Sequence, residues 1–209
     1  MMFTQIALLG LLTLATAGVH ADVVFNVNTV IDLIDDNTND GVCHTSANTC
    51  SLRAAIMQAN HWSNPEFAII NLPAGNYLLT IPIPSGGFDG EASGNLNLTA
   101  PLTADQRIVI NGASAASTII DGNPNGNQRT GIFDVAVGRS ARIANVTLRN
   151  GNSVFSGGAI RNEGTLTLAN SVLEGNHAAS SGGGIDNGGA LIVIASTFRS
   201  NVAHSGGGI

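Results

Sequence analysis

The chain has 209 residues, of which 26 are glycine, about 12% against a usual ~7%. Charged residues make up 11% and aromatics 4%, and the net charge is −6 with eight arginines and no lysine. A core built around Phe, Tyr and Trp is therefore excluded, nucleic acid is disfavoured as a partner, and a hydrophobic content of 44% excludes disorder.

Met1 to Gln5 lead into an uncharged run over residues 6–19, with small residues at Ala15-Thr16-Ala17 and Val19-His20-Ala21. This pattern predicts a secretory signal peptide over residues 1–21, cleaved after Ala21. Its apolar run is 14 residues long, short of the about 20 that a membrane-spanning helix needs. No Lys or Arg precedes the run, so a buried N-terminal strand or helix is the competing reading.

Residues 22–30 are rich in β-branched side chains and predict a strand. An acidic and amide cluster follows, with Asp35, Asp36, Asn37, Asn39, Asp40 and Gly41. Two readings stand: a solvated turn, and a calcium site using Asp35, Asp36 and Asp40, since Ca²⁺ prefers carboxylate and carbonyl oxygens. Thr38 occupies the middle position where the EF-type loop has Asp or Asn. Cys43 and Cys50 are the only cysteines, and in an exported chain such a pair forms a disulfide worth about 2.5 kcal/mol. Zinc held by Cys43, His44, Cys50 and His61 is the rival, with a spacing that fits no standard finger.

Leu52, Ala55, Ile56 and Ala59 follow the i, i+3, i+4, i+7 pattern. The spacing predicts a short helix over residues 51–61, capped by Ser51 or Thr49 and ended before Pro65. The motifs Asn39-Asp40-Gly41-Val42-Cys43 and Cys50-Ser51-Leu52-Arg53-Ala54-Ala55-Ile56-Met57-Gln58-Ala59-Asn60 resemble the bacterial CSLREA domain. Ala54 stands where that family has Glu, so no role for that carboxylate carries over. The resemblance implies an exported or surface protein in which residues 22–66 form an N-terminal cap, with a disulfide and a capping helix, ahead of a right-handed parallel β-helix.

From residue 67 onward, strand-sized runs (67–72, 77–81, 107–110, 118–120) alternate with Gly, Asn, Pro and Ser. Gly157-Gly158-Ala159-Ile160, Gly182-Gly183-Gly184-Ile185 and Gly206-Gly207-Gly208-Ile209 recur at offsets of 25 and 24. The offset of 25 also relates Leu148, Leu173 and Phe198, and the pairs Asn145 with Asn170, Asn162 with Asn187, and Asn176 with Asn201. A flexible Gly/Ser linker would not restore these residues in register. The period predicts an all-β chain over residues 67–209, a single-stranded parallel β-helix in which residues one coil apart stack about 4.8 Å apart. Apolar columns then form the core, asparagine columns bond amide to amide, and glycines turn the coil.

Gly157 to Ile160 and the F-x-x-N of Phe198 to Asn201 are similar to motifs of polymorphic outer membrane proteins, and the whole repeat resembles pectate-lyase-like solenoids. These resemblances imply a secreted or cell-surface, outer-membrane-associated scaffold of adhesin type, with a glycan or a host-surface ligand as partner. A catalytic ladder of carboxylates is not evident: Asp121 and Asp134 are 13 apart, and Arg161 aligns with Asp186 as an expected cross-coil ion pair. His177 and His204 read as loop residues. The alternatives are a polysaccharide lyase or glycoside hydrolase on the same fold, and a non-functional N-terminal fragment. Ile209 aligns with Ile160 and Ile185, so a C-terminal remainder is expected to stack on the last coil. The sequons Asn97-Leu98-Thr99 and Asn145-Val146-Thr147 carry little weight in the bacterial protein that the CSLREA resemblance implies.

Overall fold

A computed structural model describes residues 22–62, 67–84, 90–99, 107–123 and 131–209; the predicted signal segment over residues 1–21 lies outside them. The first part of the chain holds β1 (Val23–Asn26), α1 (Leu52–His61), β2 (Ala68–Leu72), β3 (Gly75–Leu78), β4 (Leu96–Leu98), β5 (Arg107–Gly112), β6 (Thr118–Asp121) and β7 (Phe133–Val135). The rest holds β8 (Ser140–Ala144), β9 (Thr147–Arg149), β10 (Asn152–Ser153), β11 (Ile160–Asn162), β12 (Thr165–Ala169) and β13 (Val172–Glu174). It ends with β14 (His177–Ser181), β15 (Ile185–Asn187), β16 (Ala190–Ile194), β17 (Thr197–Arg199) and β18 (Val202–Ser205).

The protein is all-β and parallel, with α1 the one helix among the described residues. Its strands form four sheets, in the orders β1-β2-β5-β8-β12-β16, β17-β13-β9-β6-β3, β15-β11-β7-β4 and β10-β14-β18. From β8 onward the chain visits these sheets in a fixed cycle. Partners on the six-stranded sheet shift by 45, 40, 33, 25 and 25 residues: Val23 with Ala68, Ala68 with Ile108, Ile108 with Ala141, Ala141 with Leu166, Leu166 with Leu191. The period visible in the sequence belongs to the later turns, and longer connections dilate the earlier ones. β1, expected inside the cap segment, pairs with β2 and so extends the same sheet.

Alternation within each strand sends every second side chain inward. Phe25, Ile70, Ile110, Ile143 and Leu168 make one buried column, and Tyr77, Ile120, Leu148 and Leu173 make another. Leu148, Leu173 and Phe198 stack in register as the period requires. Aliphatic columns thus substitute for an aromatic core. The first column is less covered at its β16 end: Val193 continues it at 39% exposure, where Leu168 is at 0%.

Three sets of left-handed residues turn the chain. Asn145, Asn170 and Ala195 have φ of 59°, 49° and 45°, Asn150, Gly175 and Ser200 have 58°, 61° and 54°, and Gly157, Gly182 and Gly206 have 72°, 61° and 61°. At Gly182 a Cβ would also meet the Ile185 carbonyl oxygen at 2.3 Å, so this corner needs glycine for space as well as for φ.

Helix α1 forms where the spacing predicts it, with Ser51 as N-cap accepting from the Ala54 N–H. It lies against β2 and β4, and residues 52–60 are all buried, Arg53 at 1% exposure. Among the described residues no helix is long and apolar enough to cross a membrane.

Candidate functional site

Two outward columns carry the charge. On one sheet Asp121, Arg149, Glu174 and Arg199 are in register; on another Asn97, Asp134, Arg161 and Asp186 are. Signs alternate along both. Asp121 is 4% exposed and fully used: it accepts from Arg149 Nε at 2.7 Å, Asn150 Nδ2 at 3.1 Å and its neighbour Asn123 N at 3.0 Å. Arg199 Nε donates to Glu174 at 2.6 Å. This first column thus holds two separate ion pairs, Asp121 with Arg149 and Glu174 with Arg199.

The second column is more open. Arg161 bridges two carboxylates, with Nη1 3.2 Å from Asp134 Oδ2 and Nη2 2.7 Å from Glu163 Oε1. The predicted Arg161 to Asp186 pairing is corrected here: the two residues are in register, but Asp186 Oδ1 accepts from the Ser181 hydroxyl at 2.7 Å. Asp134, Arg161 and Glu163 line a cleft of about 350 Å³ together with Asn97, Thr99, Ala136 and Val137. Burial lifts the Asp134 carboxyl above its ordinary 3.8, and the Arg161 charge and hydrogen bond oppose the rise. Sequence reasoning separated these residues because β4, β7 and β11 are joined by connections of unequal length.

The predicted asparagine ladders divide into two kinds. Asn162 Nδ2 donates to Asn187 Oδ1 at 2.6 Å, and Asn176 Nδ2 to Asn201 Oδ1 at 2.9 Å, which are amide-to-amide contacts between residues 25 apart. Asn145 and Asn170 instead occupy left-handed corners, and the Asn145 amide donates to Asn111 Oδ1 at 2.8 Å. A further ladder the period did not reveal links Asn71 Nδ2 to Asn26 Oδ1 at 3.0 Å.

Cys43 and Cys50 form a disulfide. Around it, Asp35 accepts from the N–H groups of Asn37 and His44, at 3.0 and 3.2 Å, Asp40 from the Val42 N–H at 2.9 Å, and Asp36 pairs with His44. Among the described residues no group of three His, Cys, Asp or Glu side chains is placed to hold a metal ion. The His44 ring is raised above its ordinary 6.5 by a hydrogen bond to its own backbone, and the Asp36 and Asp40 charges act in the same direction. His177 Nδ1 lies 3.2 Å from Asn152 Oδ1 in the neighbouring strand.

The motif residues of α1 turn out to be fasteners. Arg53 donates from Nε and Nη2 to the Asp32 carboxylate at 2.7 and 3.1 Å, and from Nη2 and Nη1 to the carbonyls of Gly94 and Asn95 at 2.9 and 3.3 Å. Asp32 Oδ2 also accepts from the N–H groups of Thr80 and Ile81, at 2.7 and 3.0 Å. Asn60 donates to the Asn97 carbonyl at 2.8 Å and accepts from the Thr99 N–H at 2.8 Å. β4 is an edge strand, and these side chains supply the partners its backbone lacks. Sequence reasoning quoted Arg53 and Asn60 within the motif but had no signal for Asp32. Comparisons with protein-family models, with curated proteins and with solved structures found no match.

Proposed function

We propose that the chain is a single-stranded parallel β-helix, right-handed as parallel crossover connections are, and that it serves as an exported surface scaffold of adhesin type whose outer columns bind a glycan. The observation that carries this reading is the fixed cycle through four parallel sheets, which gives a rod whose outer faces repeat along its length. Helix α1 covers one end, as the CSLREA resemblance implies. The Cys43 to Cys50 disulfide suits an oxidising compartment outside the cytoplasm. N-terminal sequencing of the exported protein is expected to begin at Asp22; an intact Met1 in the mature protein overturns the export reading. Adhesion is tested by binding of the labelled protein to cell surfaces before and after glycan removal, and loss of binding is the expected result.

A polysaccharide lyase or hydrolase is the second reading, favoured by one observation, the two carboxylates that share Arg161 in an open cleft. Cleavage of a glycan that disappears in Asp134→Asn would replace the scaffold reading with this one.

A further inference from the structure

The cleft beside Arg161 has chemistry that selects a ligand class. Each carboxylate spends one oxygen on Arg161, Asp134 its Oδ2 and Glu163 its Oε1. Among the described residues Asp134 Oδ1 and Glu163 Oε2 have no protein donor, and two bonds leave Arg161 with N–H groups to spare. Side-chain exposures of 22%, 47% and 34% for Asp134, Arg161 and Glu163 make all three reachable from solvent yet partly desolvated, where charge-assisted hydrogen bonds are strong. The Asn97 amide and Thr99 hydroxyl add mixed donors and acceptors, and Val137, 71% exposed, adds a small apolar surface.

These groups require a ligand with several hydroxyls for the free carboxylate oxygens and with oxygen acceptors for Arg161 and Asn97. Among the described residues two carboxylates against one guanidinium give the cleft an excess negative charge, which disfavours an acidic ligand. Among the described residues no aromatic ring lines it, so a flat aromatic ligand finds no stacking partner there. Its volume lies near the lower end of the about 300–1,000 Å³ that holds small ligands. We propose that this cleft binds one residue of an uncharged, hydroxyl-rich saccharide, with Asp134 and Glu163 accepting from neighbouring hydroxyls and Arg161 donating to the oxygen between them. The proposal names the ligand class of the scaffold and rests on that reading.

The test is calorimetric titration of the full chain with cellotetraose, mannotetraose and galactotetraose, and with tetragalacturonate as the acidic counterpart. At least one neutral tetrasaccharide is expected to bind, and tetragalacturonate to bind at least about tenfold more weakly. Glu163→Gln, which keeps size and removes charge, is expected to weaken neutral binding about tenfold, the effect of one charged hydrogen bond. Arg199→Gln on the other column is expected to leave it unchanged. Asp134→Asn is the second probe at the site, accompanied by its melting curve. Failure of all three neutral sugars to bind, preference for tetragalacturonate, or indifference to Glu163→Gln overturns the site while leaving the scaffold reading intact. Binding accompanied by cleavage of the bound sugar upholds the site and overturns the scaffold reading instead.

Discussion

Ala195 sits at φ 45° in the position held 25 and 50 residues earlier by Asn170 and Asn145. Asparagine tolerates the left-handed region because its short side chain bonds locally, whereas alanine has no such compensation. The site is exposed, so no packing is at stake, and Ala195→Asn is expected to stabilise the protein by about 0.5–1 kcal/mol in urea titration. Gly182→Ala is expected to cost more than about 1 kcal/mol, combining the left-handed penalty with a clash against the Ile185 carbonyl. Two titrations are expected to show opposite environments. Asp134, held above 3.8 by burial, binds its proton more tightly folded than unfolded. Its contribution to stability is therefore full below 3.8 and lost as pH rises through the raised value. Comparison with Asp134→Asn across that range is expected to show the difference falling with pH. The His44 ring, raised above 6.5, favours the fold while protonated, so its contribution is present below 6.5 and disappears as pH rises through the raised value. Its imidazole NMR shifts are expected to titrate above 6.5 and to move back in Asp36→Asn.

At the scale of elements, α1 is held by its buried apolar stripe, Leu52, Ala55, Ile56 and Ala59, and also by Arg53 and Asn60. Arg53 at 1% exposure and Asp32 at 8% are a buried ion pair, with Asp32 also accepting from the Thr80 and Ile81 N–H groups. Removing one partner leaves a buried charge uncompensated, and Arg53→Met is expected to cost about 3–5 kcal/mol in denaturant midpoint analysis. The pair itself adds specificity, since it positions the helix over the edge of β4 and nowhere else along the sheet. The helix was legible from spacing and a cap; its docking was not, because Asp32 and Arg53 are brought together by folding alone and no periodic pattern links them. The strands divide similarly. The runs at 67–72, 107–110 and 118–120 match β2, β5 and β6 closely, since β-branched residues mark them. β3 spans Gly75–Leu78, earlier than the predicted 77–81, because Gly75 donates to the Ser117 carbonyl at 2.8 Å and a neighbouring strand sets where pairing begins.

Across the whole molecule, the alternating columns specify register. A slip by one strand within the sheet would set Arg149 against Arg199 or Asp134 against Asp186, and like charges directly opposed are destabilising. On the last strands, Ile192 and Ile194 on β16 and Val202 on β18 are 54%, 51% and 57% exposed. An uncovered parallel edge with apolar side chains pairs with whatever strand is offered. The purified 209-residue chain is therefore expected to self-associate with rising concentration in light scattering, and Ile194→Lys to reduce it.

What the sequence determined by itself was everything that repeats: a regular offset aligns apolar with apolar and glycine corner with glycine corner, and local chemistry places the helix and the disulfide. Tertiary structure alone decided the rest. Successive partners on the six-stranded sheet lie 45, 40 and 33 residues apart before the spacing settles at 25. A contact is set by distance in space, so connections of unequal length hide from the sequence which of Asp134, Arg161, Asp186 and Glu163 meet, and that meeting is what makes the cleft.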